Sequence, residues 1–147
     1  PVLLQYVSNG GTLIEQYNTK NWISDVSVQP GPYPFEISRD RVTDEKAEMK
    51  LLVANHPVFT YPNAIQKSDF DGWIQERGLY FPEKWDAHYT PLIECNDPGE
   101  KALQGAVIVT DYGKGKFIYT GLSFFRELPA GVPGAYRLMA NFIGWGN

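Results

Sequence analysis

One cysteine, Cys95, and two histidines, His56 and His88, are all that 147 residues hold of the side chains most used in thiol and metal chemistry. A lone thiol excludes an internal disulfide and any multi-cysteine metal site. Neither histidine stands in an H-E-x-x-H or H-x-x-E-H spacing, so no metal centre is expected. Positive charge is also short. Thirteen Lys and Arg against 17 Asp and Glu leave a formal charge of −4, without the basic footprint of a general nucleic-acid binder. No apolar run reaches the roughly 18 residues that cross a bilayer, and Pro1-Val2-Leu3-Leu4-Gln5 lacks the basic start of a secretion signal. The expectation is a soluble chain with no cofactor, no nucleic acid and no membrane among its partners.

What is present suffices for a core: 43% of the residues are hydrophobic and 14% aromatic, enough for one packed domain over residues 1–147. Val2, Leu3, Tyr6 and Val7 share one face of a helix that Asn9-Gly10-Gly11 ends, and a strand follows at residues 12–17. A helix stopping on glycines and feeding a strand reads as the second half of a βαβ unit, which favours a parallel sheet and places an earlier strand before Pro1. Residues 18–47, with Pro30, Gly31, Pro32 and Pro34, read as a long loop. A strand is expected at 48–54, a turn at His56-Pro57, and a short helix from a Ser68 N-cap to a Gly78 C-cap. Residues 89–95 alternate weakly. The continuously apolar segment 106–110 and the run 116–120, joined through Gly113-Lys114-Gly115, form the clearest hairpin. Ala135, Leu138, Met139, Phe142 and Ile143 fall on the inner face of a final helix.

Three stretches resemble the class I glutamine-amidotransferase-like fold, especially its trehalose-utilisation (ThuA-like) branch: residues 3–14, Asn55-His56-Pro57-Val58, and residues 112–122. Three longer motifs, at residues 37–44, 73–82 and 121–137, resemble the C-terminal domain attached to bacterial PIG-L (LmbE-like) deacetylases. The resemblance implies an α/β fold, the C-terminal portion of a flavodoxin-like three-layer sandwich with a mainly parallel sheet. It also implies a covalently attached deacetylase domain acting on an N-acetylated sugar or related amide, and a periplasmic or secreted location. In active amidotransferases a cysteine nucleophile follows the first of these strands and a His-x-Glu pair the later one. Here those places hold Tyr17 and Thr120-Gly121-Leu122-Ser123, and the zinc-binding signature of the deacetylase is not in the chain. The resemblance therefore implies a domain without catalytic residues of its own.

Other nucleophiles fare no better. Cys95 has no glycine-rich elbow, and Ser123 lacks the second glycine of G-x-S-x-G, where Phe125 stands. The groups that point to ligand binding are arginines beside acids: Arg39 and Arg41 flanking Asp40, Glu76-Arg77, and Arg126-Glu127. An arginine fork holds a carboxylate through two parallel hydrogen bonds, whether the carboxylate belongs to a ligand or to the protein. These groups read either as an internal ion-pair network or as a pocket at the carboxyl ends of the strands, where Tyr17, Asn18 and Ser123 would join them. Trp73, Tyr80 and Trp85 fit either core packing or a platform for sugar rings. Three functions follow. The first is a non-catalytic accessory domain that positions substrate, binds a ligand such as a carbohydrate, or packs against the deacetylase; the second is a ThuA-like enzyme using Tyr17, Glu76, Arg77 and Glu127 on a sugar; the third is a purely structural module. A carboxylate already fully bonded within the protein would count against the second.

Overall fold

The computed structural model describes residues 2–19 and 30–147. In chain order the elements are α1 (Val2–Ser8), β1 (Thr12–Gln16), β2 (Glu36–Ile37), β3 (Arg41–Val42), β4 (Lys50–Leu51), α2 (Pro57–Thr60), a 3-10 turn (Lys67–Phe70), β5 (Gly78–Leu79), β6 (Pro82–Glu83), β7 (Thr90–Pro91), β8 (Ile93–Glu94), β9 (Val107–Tyr112), β10 (Gly115–Thr120), α3 (Phe124–Glu127) and α4 (Pro133–Gly144). One sheet has four strands in the order β1-β10-β9-β7, and three two-stranded ladders pair β2 with β6, β3 with β5 and β4 with β8.

This corrects the flavodoxin-like expectation. Among the described residues only β1 and β10 run parallel, and every other strand pairing is antiparallel. The protein is a small α/β structure with small, mostly antiparallel sheets. The parallel expectation came from the helix feeding β1 and from the resemblance, and it holds for the pairing of β1 with β10; the apolar run 106–110 is covered on both faces, as its composition predicts. Val107, Val109 and Ile118 face the main core with Leu138 and Phe142 of α4. Ile108, Phe117 and Tyr119 face a second cluster with Phe35 and Tyr89. A strand buried on both sides needs apolar residues at every position, whichever way its neighbour runs. The hairpin itself forms as expected, with Tyr112 opposite Gly115 and Gly113 at φ +57 in its two-residue turn.

Other boundaries move. In α1 only Val7 is buried, while Val2, Leu3 and Tyr6 are exposed. The expected strand at 48–54 shrinks to β4, and 89–95 divides into β7, which pairs with β9, and β8, which pairs with β4. The turn expected at His56 forms: its Nδ1 accepts the Val58 N–H at 3.2 Å and Pro57 opens α2. Ser68 lies inside the 3-10 turn, which Gln66 caps, and Gly78 starts β5 instead of ending a helix. A Cβ at Gly78 would stand 2.3 Å from the Gly121 carbonyl oxygen, so close backbone packing accounts for that glycine. Part of the expected loop 18–47 lies outside the described residues; the rest carries β2 and β3. The final helix spans α4, burying Ala135, Leu138 and Phe142 while Ile143 stays exposed.

Candidate functional site

Because β1 and β10 are parallel, with Gln16 opposite Thr120, the residues that follow them leave the sheet at the same end. Tyr17 makes the turn with φ +56, a left-handed backbone uncommon outside glycine. Its N–H donates to the Thr120 carbonyl at 3.0 Å. The ring lies edge-on to Tyr80 (centroids 5.5 Å apart) and Phe125 (4.5 Å). Its hydroxyl donates to Glu76 Oε1 at 3.1 Å, and the same oxygen accepts from Arg126 Nε at 3.2 Å. Burial, and then the Glu76 charge, push the phenol up to about 12, so Tyr17 is a protonated donor at neutral pH. Asn18 is tied into the frame: its N–H donates to the Tyr119 hydroxyl at 3.0 Å and its side chain donates to Glu15.

Beneath this corner Ser123 and Glu127 are fully buried. Ser123 Oγ lies 3.1 Å from Glu127 Oε2 and 3.0 Å from the Glu76 carbonyl oxygen, while Glu127 Oε1 accepts the Ile74 N–H. Burial raises the Glu127 pKa against these bonds. Arg77 points elsewhere, into the core. Its Nε and Nη2 donate to the Ala47 carbonyl at 3.0 and 2.8 Å, and its Nη1 to the Phe70 carbonyl at 2.6 Å. The rings of Phe70 and Trp73 flank the guanidinium at 6.0 and 5.7 Å.

Next to the corner opens a cavity of about 1220 Å³ lined by Thr19, Ile37, Ser38, Arg39, Asp40, Arg41, Leu79, Tyr80 and Glu83. Ser38 sets its floor: Oγ donates to the Phe81 carbonyl at 2.6 Å and accepts the Asp40 N–H at 2.9 Å, fixing the turn that carries Arg39 and Arg41. Pairing of Arg41 with Leu79 brings that turn against Tyr80. Tyr80, at φ +58, belongs to both places, lining the groove and meeting Tyr17.

The arginine-acid groups thus divide three ways. Arg39 and Arg41 line the groove, Arg126 pairs with Glu76 at the corner, and Arg77 is a core clip. Trp73 is buried in the core, whereas Tyr80 and Trp85 are only partly buried. Burial drives the Cys95 thiol up to about 12, well away from a reactive thiolate. Among the described residues no group of His, Cys, Asp and Glu is arranged to hold a metal ion, no buried side-chain nitrogen or oxygen lacks a partner, and no helix is long and apolar enough to cross a membrane. Sequence reasoning missed Thr19, Ser38 and Glu83 as groove residues. The Ser38-x-Asp40 spacing was a legible signal for a side-chain-braced turn; the left-handed Tyr80 gave none.

No protein-family model matches the chain, and no curated protein matches it. Among solved structures it is similar to the cytoplasmic protein STM3548 from Salmonella typhimurium, with 15% identity and a TM-score of 0.51 over 96% of this chain. The chain spans 57% of that protein's length. At this identity the likeness concerns the fold alone.

Proposed function

We propose that this chain is a non-catalytic, carbohydrate-binding accessory domain, attached in its parent protein to a PIG-L-type deacetylase. One observation carries the binding half: an open polar groove stands beside a corner whose reactive groups are already engaged. Glu76 holds Tyr17 and Arg126 on one oxygen, and both Glu127 oxygens are hydrogen-bonded inside the protein. A general acid or base must be within reach of a substrate proton, and neither carboxylate lines the groove. These bonds favour the binding reading over the ThuA-like enzyme, whose acid and base would be Glu76 and Glu127.

The groove's charges argue for a neutral ligand. Arg39 and Arg41 are balanced by Asp40 and Glu83, so no net field selects a phosphate or polyanion. Hydroxyls both donate and accept, which suits a mixed lining, and Tyr80 adds an aromatic surface for a sugar ring. The attachment to a deacetylase is supported by the three motifs at residues 37–44, 73–82 and 121–137.

The test is an NMR titration of the chain with neutral and N-acetylated monosaccharides. Saturable shifts are expected at Arg39, Asp40 and Tyr80, weakened by Tyr80→Ala. Absence of shifts with every sugar would leave only a scaffolding role.

A further inference from the structure

A second, smaller cavity of about 290 Å³ adjoins the first, with Trp85, Lys101 and Gln104 in its wall. Asp40 and Glu83 line both cavities, so the two share a boundary. Strand β6 runs along that boundary, and non-glycine residues in left-handed backbone stand on either side of it, Tyr80 at φ +58 and Lys84 at φ +48. The first bend sets Tyr80 at one cavity; the second precedes Trp85 at the other. Gly105 permits the close approach there, since a Cβ would lie 2.2 Å from the Pro82 carbonyl oxygen and 3.2 Å from Trp85 Cζ3.

We infer that the two cavities are consecutive subsites for an oligosaccharide, one ring at Tyr80 and a further ring at Trp85, with Asp40 and Glu83 meeting the sugar hydroxyls between them. The inference rests on the carbohydrate reading above and adds the length of the ligand. Three features support it. The larger cavity alone exceeds the roughly 300–1,000 Å³ of a pocket for one small ligand, and the smaller extends it further. Each subsite has its own partly buried aromatic residue, and sugar rings joined in a chain need such surfaces in series. The second subsite repeats the mixed polarity of the first: Lys101 donates, the Gln104 carbonyl and the shared carboxylates accept, while Lys84 is paired with Glu36 and the Gln104 amide nitrogen donates to Glu94. A second ring tethered to the first binds at high effective concentration, so affinity rises with chain length.

Calorimetry of the whole chain with glucose, N-acetylglucosamine, galactose and mannose, each beside its linear tetramer, tests this. At least one tetramer is expected to bind ten-fold or more tighter than its monomer. Trp85→Ala should collapse that tetramer-to-monomer ratio towards one. Because Trp85 also packs against the second core cluster, Lys101→Ala at the exposed rim provides an independent variant, expected to lower the ratio about three-fold. Equal affinity of monomer and tetramer would overturn the two-subsite inference while leaving the carbohydrate reading intact. No binding by any of the eight sugars would overturn both, and a length preference untouched by Trp85→Ala and Lys101→Ala would place the extra ring elsewhere and overturn the assignment to this cavity.

Discussion

Between Val107 and Thr120 the chain makes a hairpin of two six-residue strands, whereas between Glu36 and Glu94 each strand contributes only two residues. The hairpin is held by its own backbone ladder and by apolar residues on both faces. The short ladders have too few backbone bonds to fix a fold, and polar side chains bond to main-chain groups in their place. Arg77 joins Ala47 to Phe70. Asp97 accepts the N–H groups of Thr43 and Asp44 at 3.0 and 2.7 Å. Arg137 on α4 holds Asp69 and the Ala64 carbonyl. The groove lies in this second region, so its shape depends on side-chain clips more than on strand pairing.

The sharpest break of the comparison is Arg77→Met. It leaves the Ala47 and Phe70 carbonyls without those donors in a buried site, and the expected loss is about 3 kcal/mol of unfolding free energy, measured by urea denaturation. A loss under about 1 kcal/mol would show that the ladders hold without the clip.

An intermediate effect is expected in β1. Burial raises the Glu15 carboxyl from 4.5 to about 7, opposed by the Asn18 hydrogen bond. The folded chain thus favours the protonated form. The stability this contributes is complete below about 4.5, and is lost as the pH rises through about 7. Glu15→Gln, which keeps the neutral form, should raise the melting temperature at about pH 8 and leave it nearly unchanged at about pH 4. A gain of equal size at both would mean the effect is not titration.

Within the hairpin, removing polar side chains should matter least. Lys116 pairs with Asp111 at 2.6 Å, but the Asp111 side chain is 69% exposed. Asp111→Ala should cost about 0.5 kcal/mol or less, because solvent screens the pair. A loss comparable with Arg77→Met would erase the distinction between the regions.

The same division explains how much was readable in advance. The hairpin, α4 and the His56 turn follow from local signals: apolar runs, a glycine turn, helical spacing and an imidazole before proline. The mainly antiparallel sheet did not, because the helix feeding β1 signals one parallel pairing, β1 with β10, and says nothing of how the later strands pair. In the ladder region the decisive bonds join residues far apart in sequence, as Arg77 and Ala47 are, and neither end announces its partner. Glu76-Arg77 illustrates the cost: adjacent letters, yet the carboxylate goes to Tyr17 at the corner and the guanidinium into the core.

The buried carboxamide of Asn141 carries a consequence for replacement. Its Nδ2 donates to the Val58 and Asn63 carbonyls at 2.9 and 2.8 Å, and its Oδ1 accepts the Asn63 N–H at 2.9 Å. An ionised aspartate keeps the acceptor but supplies no proton to either carbonyl, and leucine of nearly the same shape supplies nothing. Hydrolysis of that one amide would therefore unpick the joint between the last helix and the segment after α2, making position 141 a point where slow chemical ageing of the protein would become loss of shape.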